Sequence, residues 1–107
     1  MMYIEGKKAN YVITVMSGVA SAHPELDVNV KSRISYVDHT IVEYTVHFTS
    51  IRTGELYARA TIFMDEGEFP VSPDEGSWKF FGEEGRKIMT PIFTRELANK
   101  FAWLTIR

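Results

Sequence analysis

Apolar and polar positions alternate strictly on both sides of Arg52-Thr53-Gly54. In residues 42–48, Val42, Tyr44, Val46 and Phe48 share one parity, with Glu43, Thr45 and His47 between them. In residues 56–64, Leu56, Ala58, Ala60, Ile62 and Met64 share a parity, with Tyr57, Arg59, Thr61 and Phe63 between them. A period of two, rich in β-branched and aromatic residues, marks half-buried strands. Arg52-Thr53-Gly54 then reads as a three-residue hairpin loop, with Gly54 in the left-handed position. That loop pairs Ile51 with Glu55, so Phe48 faces Ala58, Val46 faces Ala60, Tyr44 faces Ile62 and Val42 faces Met64. Large residues meet smaller ones on one face, and a slip of one residue would set an apolar row against a polar one. Upstream, Val28, Val30, Ile34 and Tyr36 form the same kind of row, with Asn29, Lys31, Arg33 and Ser35 opposite. Asp38-His39-Thr40 is long enough only for a hairpin turn. These residues predict a three-stranded antiparallel meander with one apolar and one mixed face.

An apolar sheet face needs a cover, and two helical stripes are available. Val12, Val15, Met16 and Val19 follow Asn10, a good N-cap, at spacings of a helix face, although the β-branched run Val12-Ile13-Thr14 favours a strand. His23-Pro24 ends that element, because the residue before proline avoids helical geometry. At the other end Thr94 can cap residues 95–107, where Leu97, Ala98, Phe101 and Leu104 form a stripe and Pro91 stops the preceding segment from running in. Residues 77–89 suit a shorter helix, weakened by Gly82 and Gly85 at about 1 kcal/mol each. The expected architecture is α+β: a three- to four-stranded antiparallel meander covered on one face by an N-terminal and a C-terminal helix. It forms a single domain over 1–107 with an acidic loop at about 65–77.

Helix, three strands, helix resembles the element order of double-stranded RNA-binding domains. The last segment, however, carries Arg95 and Lys100 set apart, without a lysine cluster at a helix start for phosphates. Residues 54–63 are similar to a strand of hotdog-fold thioesterases, a fold that wraps a longer sheet around a central helix.

Composition narrows the function classes. The formal charge of -2 supplies no bulk field toward nucleic acid or an anionic membrane, so both are disfavoured as partners. With no cysteine, thiolate nucleophiles and sulfur-based zinc sites are excluded. Nor does any His, Asp or Glu set show metal-ligand spacing, so neither metal nor cofactor is expected. The apolar run 11–23 is broken by Thr14, Ser17 and Gly18, which argues against a cleaved leader. The expectation is a soluble, cytoplasmic protein.

Candidate chemistry gathers on the mixed face. His47 is set opposite Arg59, with Glu43 nearby, an arrangement that suits an anion or acid–base work; with Tyr57 it gives an enzymatic alternative, a pocket between sheet and helices. Ile41, Ile51, Tyr57 and Phe63 make the same face apolar enough for a protein partner or a second copy of the chain, with Phe63 as anchor. Residues 65–84 carry seven acids (Asp65, Glu66, Glu68, Asp74, Glu75, Glu83 and Glu84) against Lys79 alone, reading as an exposed acidic stretch. It feeds an aromatic group of Trp78, Phe80 and Phe81, which either pins a loop to the core or contacts a partner. The leading functional expectation is a small accessory or binding protein. It would act through an interface on the outer sheet face or through the acidic aromatic segment.

Overall fold

A computed structural model describes residues 2–34, 41–66, 75–101 and 104–106, with side chains for 11–34, 41–66 and 75–101. The elements run α1 (Met2–Ala22), β1 (Leu26–Ile34), β2 (Ile41–Ser50), β3 (Leu56–Asp65), β4 (Glu75–Phe80), α2 (Gly82–Ile92), a π-helical turn (Phe93–Leu97) and β5 (Leu104–Ile106). The five strands lie side by side in chain order; β1 to β4 are antiparallel and β5 runs parallel to β4. The α+β meander is therefore four strands long before β5 joins it. Among the described residues no helix is long and apolar enough to cross a membrane.

α1 buries Val12, Met16 and Val19, one side of a helix, against the even-numbered face of the sheet. That burial outweighs the strand preference of Val12-Ile13-Thr14, since packing of one face supplies most of a helix's stability. The helix starts at Met2, so Asn10 lies inside it and caps nothing. It stops where expected: the His23 N–H still reaches Val19 O at 3.0 Å, and Pro24 follows.

β1 and β2 pair with even residues facing even ones, Val28 to Phe48 and Val30 to Val46. Tyr36 and the Asp38-His39-Thr40 turn lie outside the described residues. β2 and β3 take the expected register from Val42–Met64 to Phe48–Ala58, then shift at Phe48/Thr49, so that Thr49 faces Leu56. The loop is one residue longer than its expected three: Ser50 and Glu55 close it through Ser50 N–H to Glu55 O (2.9 Å), and Ile51 sits in the loop instead of facing Glu55. Ser50 Oγ, which accepts from the Thr53 N–H (3.2 Å), helps hold this wider turn. Tyr57 is left as the extra residue of a β-bulge.

Gly54 has φ 78° with nothing within 4 Å of an added Cβ, so a side chain there meets only conformational strain. Gly54→Val is expected to lower stability by roughly 1–2 kcal/mol, seen as a lower urea midpoint at unchanged slope.

Downstream, strands replace part of each helical expectation: the helix expected over 77–89 forms as α2 only from Gly82, and the segment expected to be helical over 95–107 ends in β5. Residues 75–80 form β4, paired to β3 through Ala58–Phe80, Ala60–Trp78 and Phe63–Glu75. Trp78, opposite small Ala60, is fully buried, its ring centroid 5.1 Å from that of Phe48 and 5.0 Å from that of Phe93. α2 then passes through Pro91 instead of stopping there and widens into the π turn. Thr94 caps no helix; its hydroxyl donates back to Thr90 O at 2.8 Å. Leu97 and Phe101 are fully buried, as their stripe suggests, but the chain reaches them through the π turn and a bend. The segment ends in β5, where a helix was expected, so the element order also departs from that of double-stranded RNA-binding domains.

Candidate functional site

Because both helices bury their apolar sides in one cluster with the even residues of the sheet, the odd face carries no described helix. The registers arrange that face in rows across the strands. One row reads Asn29, His47, Arg59, Lys79; the next Lys31, Thr45, Thr61, Ser77; the next Arg33, Glu43, Phe63, Glu75. Strand pairing alone aligns these side chains, about 4.8 Å apart from strand to strand.

The first row is basic. Arg59 and Lys79 are directly opposite, exposed, and in no salt bridge among the described residues. Like charges placed opposite one another on a sheet repel. Here both cations sit over the Phe81 ring, the guanidinium carbon at 5.4 Å and the ammonium nitrogen at 5.3 Å from its centroid. The negative face of the ring offsets part of the repulsion. Beside them lies a shallow hollow of about 350 Å³ lined by Arg59, Thr61, Ser77 and Lys79. Two cations and two hydroxyls around one hollow suit carboxylate or phosphate oxygens.

The other end of the face is different. Glu43, expected beside His47 and Arg59, is bound to Arg33 at 2.6 Å, and Phe63 lies between Glu43 and Glu75. Ile41 and Phe63 are half-buried, and Ile51 is exposed at the hairpin tip. Tyr57 is not on this face in the sense expected: the bulge re-aims it, and it is buried within the core cluster beside Ala58. The pocket between sheet and helices expected for His47, Arg59 and Tyr57 therefore does not bring these three together. His47 and Arg59 stay on the outer row, and the apolar patch expected for self-association keeps only Ile41 and Phe63. Trp78, a candidate contact residue, is a core anchor with no exposed surface.

Two features escaped the periodicity. Lys79 joins the basic row because residues 75–80 are a strand. The acidic stretch, expected to be exposed, begins with two buried residues, Asp65 and Glu66; Glu66 Oε2 accepts a 2.6 Å hydrogen bond from the Tyr44 hydroxyl. The signal for the second was Tyr44 itself, since a phenol on a buried face requires an acceptor. His23 ties the end of α1 to the π turn through Glu96 at 2.6 Å, with Glu25 at 3.8 Å on its other nitrogen. Among the described residues no three His, Asp or Glu side chains gather as a metal site.

No family model matches the chain, and neither a characterised protein nor a solved structure is significantly similar to it.

Proposed function

We propose that this protein is a small binding protein whose outer sheet face receives an acidic segment of a partner protein. The observation that supports this reading is the Arg59–Lys79 pair: adjacent, exposed cations without a carboxylate among the described residues, in line with His47 and Asn29. A carboxylate between them relieves their mutual repulsion, so binding energy comes from a strain already present in the free protein. Exposed ion pairs contribute up to about 1 kcal/mol each, which sets a weak, salt-sensitive interaction.

The test is fluorescence anisotropy with a labelled octaglutamate peptide at low ionic strength. Binding should weaken at least about tenfold in Arg59→Glu/Lys79→Glu, roughly the effect of reversing two such pairs. Circular dichroism should stay unchanged, because both side chains are exposed. Equal binding by the wild type and the double variant would overturn the reading. Tighter binding of a thymidine oligonucleotide than of the peptide would transfer the face to nucleic acid.

A further inference from the structure

Among the described residues β1 has β2 on one side and no strand on the other. Its hydrogen-bond phase is set by three bonds: Ile51 N–H to Glu25 O (3.1 Å), Ser50 N–H to Glu55 O (2.9 Å) and Phe81 N–H to Tyr57 O (2.9 Å). Antiparallel strands bond to a given neighbour at every second residue. All three bonds agree that the odd residues of β1 bond to β2. The N–H and C=O groups of Val28, Val30 and Ser32 therefore point to the open edge. This edge spans nine residues, with no proline and no bulge against β2. Long, flat edges of that kind are templates for another strand.

We propose that the open edge pairs antiparallel with β1 of a second copy, about a two-fold axis between the two Asn29 residues. The charge pattern selects both the partner and the register. With Asn29 against Asn29, Asp27 meets Lys31 of the other copy and Glu25 meets Arg33, each twice by symmetry, while Val28 meets Val30. Moving the axis to Val30 keeps only Asp27 against Arg33; moving it to Val28 keeps only Glu25 against Lys31. Parity forbids the registers between, which would place bonded groups opposite unbonded ones. In the chosen register the charged residues occupy the non-hydrogen-bonded positions, where side chains approach most closely. Glu25 and Arg33 have room for it, their side chains being 60% and 81% exposed, and Arg33, which holds Glu43 of its own chain through one nitrogen at 2.6 Å, keeps further N–H donors for a second carboxylate. A lysine on an edge strand commonly repels other strands; here each Lys31 faces an aspartate of the second copy.

The pairing makes one ten-stranded sheet. Its two-fold axis is normal to the sheet, so both outer faces lie on the same side. The rows Lys79, Arg59, His47, Asn29 then join end to end through the axis, over roughly 34 Å at 4.8 Å per strand. The dimer does not depend on what that face binds, and the two readings fail separately: positions 27 and 31 test one, positions 59 and 79 the other.

A contact of one strand pair is small for a specific interface, so dissociation in the micromolar range is expected. The experiment is light-scattering mass of the full chain over a concentration series. Asp27→Lys and Lys31→Asp should each raise the dimer dissociation constant at least about tenfold, because each turns two attractive pairs into repulsive ones. The double exchange Asp27→Lys/Lys31→Asp restores opposite charges and should return within about threefold of the wild type. Phe63→Glu should leave the equilibrium unchanged, and circular dichroism checks folding throughout. A wild type monomeric up to about 0.5 mM, a double exchange no better than the single variants, or a dimer dissolved by Phe63→Glu would each overturn the proposal.

Discussion

Gly85→Ala is expected to destabilise the fold by about 3 kcal/mol, although alanine is the better helix former. In an exposed helix the exchange would gain roughly 1 kcal/mol. Gly85 instead packs α2 directly on the bulge of β3. A Cβ there would lie 2.9 Å from the Tyr57 Cα and still closer to its carbonyl oxygen. Both neighbours are backbone, so no rotamer change relieves the overlap. The Tyr57 carbonyl is moreover held by the Phe81 N–H at 2.9 Å. Added methyl groups in tight cores cost about 1–3 kcal/mol, and an immovable neighbour puts this one at the upper end. Urea unfolding followed by circular dichroism measures it. A midpoint equal to or above that of the wild type would mean that α2 does not rest on the bulge.

Phe48→Ala should have the larger effect, about 3–5 kcal/mol, in a domain whose total stability is expected at about 5–15 kcal/mol. Phe48 is fully buried at the centre of the even face, tilted against Trp78 at 5.1 Å, with Ala58 across the strand pair. Alanine leaves a cavity that these fixed neighbours cannot fill, because Trp78 is itself held by Phe93 at 5.0 Å. Thr45→Ala, three residues away on the odd face and only half-buried, should shift the urea midpoint by less than about 0.5 kcal/mol equivalent. Equal losses at the two positions would show that both faces of the sheet are buried.

The contrast between these two positions was legible in the chain itself. Alternation at period two is a local property: once residues 42–48 and 56–64 are strands, the parity of each residue follows without reference to the rest of the molecule. Hence Val42–Met64 through Phe48–Ala58 pair as the alternation requires, and His47 stands against Arg59. The stripe of Val12, Val15, Met16 and Val19 was equally local: on α1, Val12, Met16 and Val19 are buried and Val15 is partly buried against the same core.

What the tertiary structure decided were the places where local preference was weak or divided. The hairpin could close with three loop residues or four, and the extra one moved Tyr57 from the candidate site into the core. Residues 75–80 had no clear period, and the open edge of β3 made them a strand, which placed Lys79 beside Arg59. Leu97 and Phe101 have helical spacing, but spacing records only that a residue returns to the core, not the path by which it returns. A π turn and the turn that follows it supply that path. Periodicity thus determined which side of an element meets the core, while pairing between distant segments determined which side chains meet each other, because hydrogen bonds across strands join residues whose separation leaves no mark on local pattern.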